Sequence, residues 1–281
     1  MRRLWFHGSV ALITAATFVL LSSHGTKTRW EYTNPVRLES HPIDSVSNAP
    51  LQSVQLSPQP QPVDPVVVLH GPRELKVIAL TFDACSTIGP SRYDERITEI
   101  LIETRTPATL FLGGKWIEEE PEHTKQLAAH PQFELGNHTY YHPHLNAISD
   151  DSIRHELMRT QDLMDSITGK RPALFRPPFG EYNERVVHIA AEMGLKTIQF
   201  DLASGDPDPG FTKEKLIRYV TSMARNGSII VMHINKRGWH TAEALPEIID
   251  RLRARGFTFL TVSALLTLSS AEKDRNEKAG E

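Results

Sequence analysis

Two histidines spaced i, i+4 are the residues best suited to chemistry in this sequence. His138 and His142 bracket the polar end of the segment Gly136–His142. If that segment enters a helical turn, both imidazoles lie on one face and can bind the same metal ion. A single histidine is more often a solvated surface residue than a metal ligand. The spacing of the pair therefore indicates a metal site only if other polar residues lie nearby.

Further candidates occur in order along the chain, each directly after an apolar run. Asp83 follows the first run, and His233 follows a late one. Between them lie Phe175–Gly180, which two consecutive prolines make rigid, and the acidic segment Asp201–Asp206. Each segment has an ordinary explanation as a turn or a polar loop. Their recurrence after successive runs favours one common site.

The elements that would position these residues alternate between strand-like and helix-like patterns. Apolar, β-rich runs predict strands over Lys76–Phe82, Ala108–Leu112, Phe133–Leu135, Leu195–Phe200, Ser228–Met232 and Phe257–Leu260. Helical spacing predicts a helix with Ile97, Ile100 and Leu101 inward, and an amphipathic helix over Ser149–Ile167. Repeated β-then-α units predict parallel strands, in an open sheet or a closed barrel. Parallel α/β folds place active sites at the strand ends where the candidates occur.

The ordered set of motifs resembles the NodB-homology polysaccharide deacetylases (carbohydrate esterase family 4) over roughly residues 65 to 265. The resemblance rests on five motifs: Thr81–Asp83 (Thr-Phe-Asp), His138–His142 (His-Thr-x-x-His), Arg176–Phe179 (Arg-x-x-Phe), Asp201–Asp206 (acidic loop) and Val231–His233 (Val-x-His). It implies an α/β fold, a distorted (β/α) barrel with seven parallel strands. The function it implies is hydrolytic removal of N-acetyl groups from amino-sugar residues of a cell-envelope glycan.

The resemblance also implies a mechanism. A divalent metal, commonly zinc, is held by histidines and an aspartate and polarises a water and the acetamide carbonyl. On this chain His138 and His142 are then metal ligands, Asp83 is the base that takes the proton from water, and His233 is the acid that protonates the departing amine.

Three more residues take supporting roles by the same resemblance. Arg176 orients Asp83 through charge-assisted hydrogen bonds. Asp206 pairs with His233 and raises its pKa. The backbone N–H of Phe179 helps to stabilise the tetrahedral oxyanion.

The sequence departs from the family at Ala84, where a metal-binding aspartate is expected. Catalytic zinc usually has three protein ligands, and alanine offers none. Two ways of binding the metal without a ligand at residue 84 are equally favoured: Asp83 serves as the third ligand, or the two histidines bind the metal alone and more weakly. A thiolate ligand from Cys85 ranks behind both. Asp94 is a further candidate, although helix capping is its simpler role.

The ends of the chain differ from the middle. Arg2 and Arg3 precede the apolar run Val10–Leu21, which predicts a signal peptide over residues 1–25 or an uncleaved membrane anchor over residues 9–23. Residues 26–64 are rich in Pro, Ser and Gln and predict a disordered linker. The deacetylase domain is expected over residues 65–270, followed by a charged tail over 271–281. The expected location is the periplasm or cell envelope.

The composition limits the classes of molecule that the protein is expected to bind. The formal net charge of -3 and the pI of about 6.5 do not favour nucleic-acid binding. The expected partner is an N-acetylated glycan, with membrane contact only through the N-terminal segment. Two other functions stay open: a glycan-binding module that has lost its metal, which Ala84 favours, and an amidohydrolase of the same fold that acts on small non-sugar amides.

Overall fold

A parallel sheet surrounded by helices forms the protein in the computed structural model, which describes residues 61–86 and 93–268. Its strands are Val67–Val68 (β1), Val77–Ala84 (β2), Ala108–Leu112 (β3), Phe133–Asn137 (β4), Leu174–Phe175 (β5), Lys196–Ile198 (β6), Leu202–Ala203 (β7), Ile229–His233 (β8) and Thr258–Phe259 (β9). Its α-helices are Glu95–Glu103 (α1), Gly114–Glu119 (α2), Pro121–Ala129 (α3), Asp150–Thr168 (α4), Glu184–Glu192 (α5), Lys213–Met223 (α6) and Thr241–Ala254 (α7). Residues 262–268 are also helical, and Leu145–Ala147 and Pro178–Gly180 are short 3₁₀ turns.

The strand order is β1-β6-β5-β4-β3-β2-β8-β7, with β9 pairing with the start of β2, and all the pairings between these strands are parallel. This confirms the distorted (β/α) barrel, whose edges in the described part of the chain are β1 and β7. The described residues form nine strands where seven are expected. The difference lies in short pairings, since β1, β5 and β7 have two residues each and leave no periodic signal in the sequence, whereas β9 falls within the strand predicted over Phe257–Leu260.

The central strand β2 contributes to the core on both faces of the sheet and provides part of the site. All eight of its residues are buried. Leu80 and Phe82 pack in the large core between the sheet and the helices, whereas Ala79 packs with Phe111 in a smaller core on the other face. Because successive side chains of a strand alternate between faces, Asp83 shares the face of Ala79, inside the barrel.

The register of β2 and β8 sets two of the candidate residues beside each other. Asp83 pairs with His233 across this parallel ladder, each one at or next to the end of its strand. On the other side of β2, Asp83 pairs with Phe111 of β3. The carboxyl ends of the central strands therefore hold the site.

No helix among residues 61–86 and 93–268 is both long and apolar enough to cross a membrane. The predicted signal or anchor (1–25), nearly all of the predicted linker (26–64) and the charged tail (271–281) lie outside the described residues.

Candidate active site

A cavity of about 290 Å³ opens at the carboxyl ends of β2, β4 and β8. It is lined by six of the seven residues singled out from the sequence: Asp83, His138, His142, Phe179, Asp206 and His233. The seventh, Arg176, is fully buried and reaches this group through Asp83. The structure thus brings together residues from widely separated parts of the chain.

Arg176 holds Asp83 from inside the barrel. Its Nη1 donates to Oδ1 of Asp83 at 2.8 Å and also lies 2.8 Å from Oγ1 of Thr81. The guanidinium carbon lies 4.1 Å from the centre of the Phe111 ring, and Nη2 donates to the carbonyl of Gln199 at 3.2 Å. Burial opposes ionisation of Asp83, but the charge and hydrogen bond of Arg176, together with the charge of His233, outweigh it and lower the pKa of Asp83. Asp83 is therefore a carboxylate at neutral pH.

Asp206 holds His233 with both oxygens. Nδ1 of the His233 ring donates to Oδ1 at 2.9 Å, and the backbone N–H of His233 donates to Oδ2 at 2.8 Å. The hydroxyl of Thr241 donates to Oδ2 at 2.7 Å, and that of Ser204 donates to Oδ1 at 3.0 Å. Burial alone would lower the pKa of His233, but the hydrogen bond and charge of Asp206 raise it. The imidazole is thereby kept protonated to higher pH than a free histidine.

His138 presents a lone pair to the cavity. Its Nδ1 lies 2.8 Å from the carbonyl oxygen of Arg176, which can only accept, so Nδ1 carries the proton. Nε2 is then unprotonated and lies 3.8 Å from Oδ2 of Asp83. Burial lowers the pKa of His138 and keeps the ring neutral. A backbone carbonyl that fixes one ring nitrogen in this way is the usual second contact of a metal-binding histidine.

His142 meets His138 edge to face, with ring centres 4.9 Å apart. Burial, followed by the repulsion that a protonated His138 would add, lowers the pKa of His142 to about 3, so this imidazole is neutral as well. Its buried Nδ1 has no hydrogen-bond partner among the described residues. The two neutral rings therefore lie together as the i, i+4 spacing predicts.

The segment does not, however, enter the helical turn that would place both histidines on one face of a helix. The strand β4 ends at Asn137 and a tight loop follows, with positive φ at Thr139 (62°) and His142 (58°). The side chain of Asn137 accepts from the N–H of Thr139 at 2.8 Å, and a carboxylate oxygen of Glu156 on α4 accepts from the next two N–H groups at 2.8 and 2.7 Å. Side chains thus replace helical hydrogen bonds and turn both imidazoles toward the cavity.

The Arg-Pro-Pro-Phe segment forms one wall of the cavity. Phe179 has a φ of 59°, is 52% exposed, and stacks on His144 with ring centres 4.2 Å apart. Its ring also meets that of His142 at 4.4 Å. In the described part of the chain, the backbone N–H of Phe179 donates to no other group. A free N–H on the cavity wall can stabilise negative charge on a bound carbonyl oxygen.

Comparison with known proteins agrees with the fold and motifs. The family model for polysaccharide deacetylase matches residues 70–198. A peptidoglycan-N-acetylglucosamine deacetylase of Bacillus cereus is 31% identical over 201 residues, which are 69% of this chain and 90% of that protein. The chain belongs to the polysaccharide deacetylase family. Another member, the peptidoglycan-N-acetylmuramic acid deacetylase PdaA of Bacillus subtilis, is 30% identical over 68% of this chain and 72% of its own length.

A solved structure adds a contrast within this deacetylase family. BA3943 of Bacillus anthracis, described as a carbohydrate esterase family 4 pseudoenzyme, superposes with a TM-score of 0.65 at 28% identity, covering 72% of this chain and 69% of its own. A mutant of BA3943 with restored enzymatic activity superposes with the same TM-score of 0.65. The deacetylase fold therefore occurs in proteins with and without activity.

The three-ligand metal site expected of a deacetylase does not fit the residues present. Ala84 is fully buried and packs in the core between sheet and helices. The carboxylate of Asp83 is engaged by Arg176. Across residues 61–86 and 93–268, no group of three His, Cys, Asp or Glu side chains is arranged to hold a metal ion.

The substitutes considered from the sequence are no better placed. Cys85 lines the cavity, but burial, only partly offset by Arg237, raises the pKa of its thiol to about 11. Nδ2 of Asn235 lies 3.6 Å from the Cys85 sulfur. Asp94 forms an ion pair with Lys236 at 3.1 Å and does not line the cavity. The site thus offers a metal ion two neutral imidazoles, while its two carboxylates, Asp83 and Asp206, are already paired.

Two positions were misjudged or missed from the sequence. Asp201, the first residue of the acidic segment, lies outside the cavity and forms an ion pair with Arg73 at 2.8 Å while accepting from the N–H of Ile229. Arg237 lines the cavity and places positive charge near His142 and His233. Its position four residues after His233 is the only sequence signal that could have suggested it.

Proposed function

We propose that this deacetylase family member hydrolyses N-acetyl groups of amino-sugar residues in a cell-wall glycan. The two curated relatives act on the N-acetylglucosamine and N-acetylmuramic acid of peptidoglycan, as their names state. The predicted export signal at residues 1–25 agrees with a substrate in the cell envelope. On this proposal the products are acetate and a free amino sugar.

The observation that carries the proposal is the pairing of Asp83 with His233. The two residues lie on adjacent strands in register, and both line the same cavity. Arg176 keeps Asp83 ionised, and Asp206 keeps His233 protonated. One cavity therefore offers a carboxylate base and an imidazole whose protonated, acidic form is favoured.

The steps follow from these protonation states. Asp83 takes a proton as the oxygen of a water molecule adds to the acetamide carbonyl carbon. The N–H of Phe179 donates to the resulting oxyanion. His233 gives its proton to the sugar nitrogen as the carbon–nitrogen bond breaks, which releases acetate and the amine. Asp83 and His233 then exchange protons with solvent.

The metal is a separate proposal. His138 and His142 are the protein ligands we propose for a divalent ion, in a site weaker than the three-ligand site of the family because Ala84 contributes nothing. A bound divalent ion would supply electrophilic polarisation of the acetamide. The neutral rings and the unprotonated Nε2 of His138 support this assignment.

The test is acetate release by the purified chain from N-acetylated peptidoglycan fragments and from N-acetylglucosamine oligomers, with and without added zinc. The Asp83→Asn variant is the matched control, since it keeps size and shape but removes the base. We expect release by the wild type and a loss of at least about a hundredfold in the variant, the usual scale for general-base catalysis. No release from either glycan under any metal condition would overturn the proposal.

A second candidate function is glycan binding without catalysis. Ala84 and the absence of a three-ligand metal group in the described residues favour it, and a pseudoenzyme is among the similar structures. It predicts that the wild type and Asp83→Asn bind the same glycans equally well while neither releases acetate. Retention of a paired base and acid in one cavity argues for the enzymatic function.

A further inference from the structure

A second cavity, of about 650 Å³, lies against the loop that carries Asp206. Its wall shares Ala203 and Gly205 with the catalytic cavity. The rest of its wall comes from Phe211 and one face of helix α6. A ligand that fills the catalytic cavity can therefore extend over this loop into the second cavity.

The loop between the cavities is thin. Gly205 has a φ of 87°, and a Cβ built on it would lie 3.0 Å from the ring of Phe211. The next residue, Asp206, is the one that holds His233. A group bound in the second cavity is thus separated from the Asp206–His233 pair by a single layer of backbone, which places it beside the sugar that reacts.

The residues of α6 that line the second cavity lie on one side of the helix because of their spacing in the sequence. Lys215, Arg218, Tyr219 and Ser222 follow an i, i+3, i+4, i+7 pattern, which puts them on one side of the helix. Thr212 caps the helix by accepting from the N–H of Lys215 at 3.3 Å. All four wall residues are exposed, so the surface is open to a ligand.

The charge of this wall is entirely positive. Nζ of Lys215 lies 4.3 Å from the centre of the Phe211 ring, and within the described residues neither Lys215 nor Arg218 has a carboxylate partner. The carboxylate of the nearby Asp208 accepts from the N–H of Gly210 at 2.8 Å, within its own loop. Two available cations beside two aromatic rings match an anionic group carried on a sugar.

We propose that this α6 surface, formed by Phe211, Lys215, Arg218 and Tyr219, binds a carboxylate carried by the glycan next to the acetamido sugar that is hydrolysed. The inference rests on the proposed function and narrows it to glycans with acidic substituents. Such a carboxylate comes either from a lactyl ether on the sugar or from a peptide attached to that ether. A neutral N-acetylglucosamine polymer has no group for the two cations.

The test compares the double variant Lys215→Gln/Arg218→Gln with the double variant Lys213→Gln/Arg225→Gln. Both remove two positive charges, but Lys213 and Arg225 are not on the wall of the second cavity. KM is measured on three soluble glycans of equal length: a neutral N-acetylglucosamine oligomer, an oligomer with lactyl ethers, and the same oligomer carrying peptides.

For the Lys215/Arg218 variant we expect KM to rise about fivefold to tenfold on an acidic glycan and to stay unchanged on the neutral one, on the scale of two partly exposed ion pairs. The Lys213/Arg225 variant should match the wild type on all three. A rise on the lactyl glycan alone assigns the carboxylate to the lactyl ether, because the amide link to a peptide consumes that carboxyl group. A rise on the peptide-bearing glycan alone assigns it to the peptide, and a rise on both shows that the surface accepts either carboxylate. Equal KM values for both variants on every glycan would overturn the inference.

A binding measurement separates this inference from the proposed function. Calorimetric titration of the Asp83→Asn form, with and without the Lys215/Arg218 changes, reports affinity for the acidic glycans without turnover. If the wild type releases no acetate, the proposed function fails, yet weaker acidic-glycan binding in the Lys215/Arg218 form still supports the surface. Equal affinity of the two forms for the acidic glycans would contradict the proposed role of the α6 surface, whether or not the wild type releases acetate.

Discussion

Both oxygens of Asp206 bind His233, one at the ring Nδ1 (2.9 Å) and the other at the backbone N–H (2.8 Å). The carboxylate thereby fixes the ring's tautomer and its position at the same time. Nε2 carries the second proton of the charged ring, and it is the atom left to act in the cavity. Asp206 is therefore the neighbour that contributes most to keeping His233 protonated.

The first prediction concerns pH. The pKa of His233 is raised, so the ring stays charged up to a higher pH than a free histidine and activity should fall only as pH rises through that raised value. In Asp206→Asn the charge is gone, so the pKa of His233 should fall and the alkaline limb of kcat/KM should move to lower pH. Ser204→Ala removes a donor to the Asp206 carboxylate and an acceptor of the Asp206 N–H but leaves the charge, so it should move the limb much less. An alkaline limb unchanged in Asp206→Asn would contradict the role of His233 as the acid.

The second prediction concerns the buried pair of Arg176 and Asp83, whose side chains are 1% and 8% exposed. Removing one charge leaves the other buried without a partner, so Arg176→Met should lower the free energy of unfolding by about 3 to 5 kcal/mol. Denaturant titration at neutral pH measures this loss. The double variant Arg176→Met/Asp83→Asn should recover part of the stability, because no unpaired charge remains. A double variant less stable than Arg176→Met would contradict the argument.

The third prediction concerns metal. Two imidazoles alone should hold zinc weakly, so the purified chain should contain less than one zinc per molecule after dialysis and take up more when zinc is supplied. His138→Ala should abolish this uptake. His188→Ala is the control, since His188 is exposed on α5 and its Nδ1 contacts its own helix backbone. Elemental analysis gives the ratio, and one zinc per chain that survives dialysis would mean that a third ligand exists.

The sequence predicted the parts of the fold that have strong periodic signals. The strand Ala108–Leu112 lies where it was expected, and the helix predicted over Ser149–Ile167 is α4, one residue later at each end. The strand predicted over Phe257–Leu260 contains the two-residue β9, but β1, β5 and β7 were not predicted, since their pairing depends on neighbours distant in the chain. For the same reason β1, which pairs with β6, left no local signal.

Features of the site that depend on residues close together in the sequence could be predicted, whereas those that depend on contacts between distant residues could not. The two-histidine spacing was visible, but its loop geometry was not, because the loop is held by Glu156 from a helix later in the chain. Arg237 and the α6 surface depend on which loops meet in space. Lys215 and Arg218 look in the sequence like the ordinary solvated face of a helix, and only the cavity beside Gly205 distinguishes them.

The last prediction tests the loop that carries the two histidines. One oxygen of Glu156 accepts from the N–H groups of Tyr140 and Tyr141 at 2.8 and 2.7 Å, and the Glu156 residue is 8% exposed. Glu156→Gln keeps an oxygen for these bonds but removes the charge that strengthens them, so we expect a loss of about 1 to 2 kcal/mol in the free energy of unfolding.

The same change should lower kcat more than it alters KM. The loop sets the positions of His138 and His142, whereas the other residues that line the catalytic cavity stay in place. Asp151→Asn, an exposed change on the same helix, is the control and should leave both parameters near those of the wild type. Hydrogen exchange of the Tyr140 and Tyr141 amides gives an independent measurement. Faster exchange in Glu156→Gln together with reduced kcat supports the positioning role, whereas full activity with faster exchange would show that the loop need not be rigid for catalysis.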